Sequence, residues 1–453
     1  MGKWIKELLN RLGWRQEPSR VPLIPRVAVD SRKQATNVAR ETSAKPTIQT
    51  TPLKTDTRPA LQIGFDFGTH STKIVVRRRG ERLGQIVCIG GSTDGYPAFV
   101  VPSLVRVAED SLWFGIEALN RSDGRLHQLL KLELLRPDSP SPSGTLSTDF
   151  LVTAYFGWIL CGVRKWIEKR YGLENAKLFL NVAAPMDHYE DAAVKQRYLK
   201  ILELAWGWIF GEEKKLITQG VNKAILEKWL SRKNVIVPDV SMRRYDVLPE
   251  TVAPIVSLSQ DPRMAAGMYL LVDMGAGTTE LSINHVSRPG GNQNVLCYYD
   301  RSVLLGAERF QQSENPANLT SELMRHIWQT WCLGYQKDAR NMAARQRWKS
   351  VRILLVGGGT RRKDVREAIA VYDHPVFSRF PGEGRCEILR HGPADLEFGP
   401  HRVSSEDFSL ACVANGLAFP RMQWPRFYDP ENVLPVGEGP TGGGPDGLWY
   451  LDR

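Results

Sequence analysis

The chain has no Cys-x-x-Cys pair, no His-Glu-x-x-His helix and no apolar stretch approaching the roughly 18 residues that a membrane-spanning helix needs. Its six cysteines (Cys88, Cys161, Cys297, Cys332, Cys386 and Cys412) are scattered, and its eight histidines form no metal-spaced cluster. Neither a disulfide framework nor a structural zinc site is therefore expected, and the expected compartment is reducing. The longest apolar neighbourhoods, near Leu151 to Val163 and Met268 to Val272, are short or broken by polar residues, so an integral membrane protein is not expected. The composition also lacks the low hydrophobicity of a disordered chain. With 42% hydrophobic and 24% charged residues over 453 positions, it has the length for two to four folded domains.

The net charge of +11 is unevenly spread. Residues 1–60 carry twelve Lys/Arg against five Asp/Glu, so +7 of the +11 lies in one terminal arm and the other 393 residues are nearly balanced. Within the arm, Trp4, Ile5, Leu8, Leu9 and Leu12 share one face of a helical period, with Lys3, Lys6, Glu7, Asn10 and Arg11 opposite. This predicts a basic amphipathic helix over 1–16. Residues 17–60 lose the periodicity and are punctuated by Pro18, Pro22, Pro25, Pro46, Pro52 and Pro59, the pattern of a disordered linker. Residues 420–453 contain GEGPTGGGPDG and read as a Pro/Gly-rich tail without regular elements, in which Trp424, Trp449 and Tyr450 have docking chemistry.

Between about 61 and 419 buried-strand runs alternate with amphipathic helices, which predicts an α/β fold. Helices are expected over 150–171 and 190–210, a strand over Leu178 to Ala184, and an insertion over about 211–247. The informative feature is an internal repeat. DFGTHSTKIVV from Asp66 and DMGAGTTELSI from Asp273 match in register 207 residues apart, each a strand ending in Asp, a Gly turn, hydroxyl residues and a second strand. Tight turns at Gly68, and at Gly275 and Gly277, bring backbone N–H groups close to an anionic oxygen. Thr69, Ser71, Thr72, Thr278 and Thr279 add hydroxyls, and the strand-end aspartates suit a hydrated magnesium ion bridging phosphates. A third glycine turn, ILLVGGGTRRKDVREAI from Ile353, leads from a strand through Gly357, Gly358 and Gly359 to a helix starting at Thr360.

In that order these segments resemble the actin-like ATPase superfamily of actin, sugar kinases and heat-shock chaperones, most nearly the nucleotide-binding domain of DnaK-type chaperones. Minor pieces extend the resemblance over about 61–419: GIEALNR at Gly115, VAAPMD at Val182, PETVAPI at Pro249, LLGAERF at Leu304 and CVANGLA at Cys412. It implies a duplicated actin-like (ribonuclease H-like) two-lobed ATPase fold, with lobe I over 61–250, lobe II over 251–419 and ATP or ADP with Mg2+ in the cleft between them.

By the same resemblance, Asp66 and Asp273 organise magnesium, and Gly68, Thr69, Ser71, Thr72, Gly275, Gly277, Thr278 and Thr279 hold phosphates. Glu250 places metal-bound water and Lys131 reaches the terminal phosphate, the alternative for Lys131 being a surface lysine. Gly357, Gly358, Gly359, Thr360 and Arg361 form the adenosine turn, with Arg361 on adenine or, alternatively, solvated at a helix start. Glu280, where chaperones carry Asp, keeps a general-base carboxylate one methylene longer, so slow hydrolysis is expected. Only about 70 residues separate the second hairpin from the Gly357 turn, so the segment covering adenine is expected to be trimmed. No peptide-binding β-sandwich follows residue 419, and client binding in the chaperone mode is not expected.

The resulting expectation is a magnesium-dependent ATPase, a chaperone-like module acting as a nucleotide-dependent switch for an unidentified protein partner. A polymerising actin-like filament protein is the alternative, with self-association through the insertion, and a small-molecule kinase is a third class. The expected location is cytoplasmic, with the 1–16 helix able to tether the chain to an anionic membrane surface. Nucleic acid is not an expected partner, because an ordered apolar face has no use in a purely electrostatic arm.

Overall fold

The computed structural model describes residues 59–89, 97–135, 146–172, 176–185, 192–210, 221–230, 244–260, 264–287, 294–338, 348, 351–370, 387–389, 396–399, 401–424 and 426–428. The expected 1–16 helix, the linker as far as residue 58, and residues 211–220 and 231–243 of the expected insertion lie outside them. So does the tail beyond 428, with Trp449 and Tyr450.

The first half of the body runs β1 (Ala60–Phe67), β2 (Ser71–Arg78), β3 (Gly84–Ile86), β4 (Val101–Pro102), β5 (Val105–Val107), β6 (Ser111–Phe114), α1 (Gly115–Asn120), β7 (Arg125–His127) and α2 (Leu130–Leu134). It continues through α3 (Thr148–Tyr171), β8 (Lys177–Ala184), α4 (Ala192–Phe210), β9 (Val221–Asn222), α5 (Lys223–Leu230), β10 (Tyr245–Pro249) and α6 (Val252–Ser259). The second half runs β11 (Gly267–Met274), β12 (Thr279–Ser287), β13 (Asn294–Val303), α7 (Ala307–Gln312), α8 (Pro316–Asp338), β14 (Val351–Val356) and α9 (Lys363–Ala370). It ends with β15 (Glu387–Leu389), β16 (Leu396–Phe398), β17 (His401–Arg402), α10 (Ser405–Leu417) and β18 (Arg426–Tyr428).

The fold is mixed α/β, and its two large sheets share one strand plan. In the first, the order β3-β2-β1-β8-β10 has antiparallel β3, β2 and β1 followed by parallel β8 and β10. In the second, β13-β12-β11-β14-β15 repeats that order and those directions. The sequence repeat is thus also a repeat of topology. A smaller four-stranded sheet, β7-β5-β6-β9, flanks the first half, and β9 and α5 are the described part of the expected insertion.

The central strands β1 and β11 are buried along almost their whole length because both faces are covered. On β1, Leu61, Ile63, Phe65 and Phe67 face a core built with α3, where the Phe65 and Phe156 ring centroids lie 4.8 Å apart. Each such large side chain contributes about 1.5–3 kcal/mol by leaving water. The opposite face meets α10, which packs on α6. At that crossing Gly416 is required: a Cβ there would sit 1.8 Å from the Ala253 carbonyl oxygen. Asn415 ties the layers together, accepting from Arg77 at 2.7 Å and donating to Ser257 Oγ at 2.7 Å.

Several expectations need correction. The 24-residue α3 is long and apolar enough, by length and composition, to cross a bilayer, although its sequence looked too interrupted. Two thirds of its apolar window is buried inside the protein, so its hydrophobicity is spent on the core. The tail is not wholly irregular: β18 pairs in parallel with β13, and Trp424 is buried with its indole N–H donating to Phe419 O at 3.0 Å. Later chain also returns to the first sheet, where β16 pairs in parallel with β3. After the third glycine turn, a short 3-10 helix over Gly358–Arg361 precedes α9, so Thr360 closes a turn instead of starting the α-helix.

Candidate functional site

The two hairpins that carry the repeat close in the same way. Gly68 N–H donates to Ser71 O at 3.2 Å, and Gly275 N–H donates to Thr278 O at 2.8 Å. The turns also face one another, since a Cβ on Gly277 would lie 3.4 Å from Thr69 Cγ2 and 3.8 Å from Leu132 of α2. Between them opens a cleft of about 760 Å3, counting its solvent-open space, bounded on the far side by the Gly357–Gly359 turn and by α10 at Ser409, Leu410 and Val413.

Four buried carboxylates (Asp66, Glu250, Asp273 and Glu280) and the lysines Lys73 and Lys131 line this cleft. Asp66 and Asp273 are the penultimate residues of the equivalent central strands β1 and β11, each just before its glycine turn, and both line the cleft. Lys73 Nζ lies 3.2 Å from Asp66 Oδ2, and Lys131 Nζ, delivered by α2, lies 2.5 Å from Glu250 Oε2 at the end of β10. Lys131 is only 5% exposed, which excludes the surface-lysine alternative. Burial pulls its ammonium down, but the charges of Glu250, Tyr198 and Asp66 outweigh that and leave it above the ordinary lysine value.

The carboxylates across the cleft also shift upward, which for an acid favours the neutral form. Burial, then the nearby Glu250 and Asp66 carboxylates, push Asp273 up to about 7 against the pull of Lys73 and Lys131. Burial and Glu250 likewise hold Glu280 well above the usual carboxylate range, although Ser302 Oγ donates to its Oε1 at 2.6 Å. Glu280 is thereby shifted toward its neutral form, the direction in which burial and a neighbouring acid tune a carboxyl group in a cleft.

The other expected residues divide cleanly. Gly68, Thr69, Ser71, Gly275, Thr278, Gly357, Gly358 and Gly359 line the cleft, and Gly277 sits in the facing turn. Thr72, Thr279 and Thr360 do not line it. Thr72 Oγ1 meets Ser103 Oγ at 3.1 Å and Tyr155 OH at 3.0 Å, Thr279 Oγ1 donates to Leu305 O at 2.5 Å, and Thr360 Oγ1 donates to Gly357 O at 2.8 Å. Their hydroxyls are committed to holding the turns. Arg361 also lies outside the lining, its guanidinium 3.7 Å from Glu406 in a partly exposed pair, in keeping with the solvated alternative. Gly357 has φ 83, and a Cβ there would fall 2.4 Å from Asp273 Oδ1, so only glycine lets this turn reach the aspartate.

Lys73, His70 and the α10 residues Ser409, Leu410 and Val413 line the cleft without having been expected. Lys73 carried a usable signal, because it occupies the repeat position of Glu280. No family model matches the chain, and a search of curated proteins finds no match either.

Proposed function

We propose that the cleft binds and slowly hydrolyses ATP with magnesium on a duplicated actin-like scaffold nearest to the DnaK-type nucleotide-binding domain, and that its opening and closing signals to a protein partner. The observation that carries this reading is the facing of two equivalent glycine turns, Thr69 against Gly277, each following a buried strand-end aspartate. Such a pair supplies backbone donors from two sides, which suits a polyphosphate and gives a single phosphate little reason for the duplication.

The residues fit a hydrated divalent cation. Four carboxylates face two lysines, and Asp273 is shifted upward first by burial and then by the neighbouring Glu250 and Asp66 charges. Among the described residues no group of three or more His, Cys, Asp or Glu side chains could hold a metal ion alone. Asp66 and Asp273 would therefore share the ion with water and phosphate oxygens. When bound, the ion would neutralise charge on the transferring phosphoryl group.

The chain's own groups do the remaining work. Turn N–H groups and Lys73 bind phosphate oxygens, and Lys131 fixes Glu250, which takes up the role of orienting the attacking water. Burial and the neighbouring Glu250 shift the Glu280 carboxyl toward its neutral form, and its Oε1 accepts from Ser302 Oγ. Residues 1–16 would attach the switch to an anionic membrane from the cytoplasmic side.

Thermal unfolding of the full chain with magnesium-ATP, with ATP plus chelator, and with neither tests the reading. A magnesium-dependent rise in Tm that Asp66→Ala abolishes is expected. No rise in the wild-type protein at millimolar ATP would overturn it.

A further inference from the structure

The first turn contributes one side chain that the nucleotide reading leaves unused. His70 lies between Thr69 and Ser71, lines the cleft, and places its Nε2 against Glu308 Oε1. Glu308 belongs to the other half of the body, in the first turn of α7. Its own backbone is locked to the second glycine turn: Glu308 N–H donates to Ala276 O at 3.0 Å and the adjacent Ala307 N–H donates to Gly275 O at 3.0 Å. The His70 carbonyl, in turn, accepts from Ser103 N–H at 2.8 Å, which fixes the first turn to its own half. Each partner is thus rigidly part of one turn, and the imidazole–carboxylate contact spans the gap between them. With side-chain exposures of 24% and 38%, it does so at the rim of the cleft.

We infer that His70 and Glu308 form a strap that holds the two glycine turns together and must release before a ligand can pass the rim. This rests on the proposed function only for what the ligand is. The contact has the balance a releasable strap needs. With Nε2–H donated to Glu308, Nδ1 is the free acceptor, and it is buried without a hydrogen-bond partner. Closure therefore gains a charge-assisted hydrogen bond and loses the hydration of Nδ1, whereas opening restores that hydration and exposes Glu308 to water. The two terms oppose one another, so the contact can open, and a ligand bridging both turns can bias it.

Hydrogen exchange of the full chain without nucleotide tests the strap independently of any ATP chemistry. Peptides covering 66–73 and 275–310 are followed in the wild type, in His70→Asn, in Glu308→Gln and in the swapped double variant His70→Glu/Glu308→His. Each single variant should raise exchange of both turns together by about tenfold, with the far-UV spectrum and the Tm of the body unchanged, and the swap should restore much of the protection. Wild-type exchange in both single variants, or faster exchange confined to the mutated turn, overturns the strap. A separate measurement, release of a fluorescent ATP analogue, should be faster in both single variants. Failure of the wild type to bind that analogue while the exchange effect persists counts against the nucleotide reading and leaves the strap standing.

Discussion

Lys73 and Glu280 occupy the same place in two copies of one hairpin. Each lies directly across the ladder from the strand-end aspartate of its copy, Lys73 opposite Asp66 and Glu280 opposite Asp273. One position therefore carries a cation in the first half and an acid in the second. The cleft is made electrically unequal: the first turn pairs Asp66 with Lys73, while the second sets two acids side by side, both shifted toward their neutral forms chiefly by burial and then by Glu250.

This inequality predicts that Lys73 serves anions. Lys73→Met removes a charge-assisted donor worth about 1.5–3 kcal/mol. Affinity for ATP should fall by tenfold or more, and the loss should be larger without magnesium, when the triphosphate charge is least screened. Isothermal titration with and without chelator measures it. Unchanged affinity under both conditions would confine Lys73 to pairing with Asp66.

Much of the site was legible because one strand pattern recurs. The Asp-x-Gly turns, Glu250 after a strand end and Lys131 near α2 followed from local pattern and resemblance, and all four acids and Lys131 meet at the cleft. What went unread was orientation. Side chains alternate along a strand, so Ser71 and Lys73 point to one side of β2 and Thr72 to the other; likewise Thr278 and Glu280 line the cleft while Thr279 does not. Hydroxyl chemistry alone could not separate them, but period two could have. The parallel pairing of β18 with β13 was hidden for a different reason: its partner lies more than 100 residues away, and composition alone reads that stretch as loop.

The shift on Asp273 has a consequence for stability. Its pKa is about 7 folded against an ordinary 3.8, so the native state binds more protons than the unfolded chain between those values. Stability is then lost as pH rises through that window, at up to about 1.4 kcal/mol per pH unit from this one group. Asp273→Asn removes the penalty. Without magnesium its Tm should exceed that of the wild type at pH 7.5 and converge with it near pH 4.5. At the same time magnesium-ATP should no longer raise its Tm. Parallel Tm–pH curves for the two proteins would show that Asp273 ionises freely.

The basic arm predicts a reversible membrane attachment. Lys3, Lys6, Arg11 and Arg15 contribute about 1 kcal/mol each near anionic lipid, and Trp4, Ile5, Leu8, Leu9 and Leu12 supply an insertable face. Ordering the helix costs about 1–2 kcal/mol per residue before its hydrogen bonds form, which keeps binding weak. The intact chain should float with anionic liposomes and remain behind with neutral ones, whereas a chain starting at Leu61 should remain behind with both. Equal recovery of the two chains rejects the tether.

Lys131 and Glu250 can be separated into structural and chemical roles by a double-mutant cycle. The pair is buried, so removing one partner strands the other charge; Lys131→Met alone should destabilise the fold by about 3–5 kcal/mol. Lys131→Met/Glu250→Gln strands no charge and should recover most of that loss, which urea denaturation would record as a return of the midpoint. Turnover behaves differently. Glu250→Gln keeps the shape of the side chain, so ATP affinity should hold, but its amide offers one acceptor oxygen and a donor where the carboxylate offers two acceptors, so the attacking water loses its orientation. A loss of about 1.4 kcal/mol of transition-state stabilisation already lowers turnover tenfold, and at least that drop is expected. The double variant should be as slow as Glu250→Gln, because restored stability does not restore the carboxylate that orients the water. Recovery of turnover together with stability would make the pair a structural clasp alone, and wild-type turnover in Glu250→Gln would remove Glu250 from the chemistry.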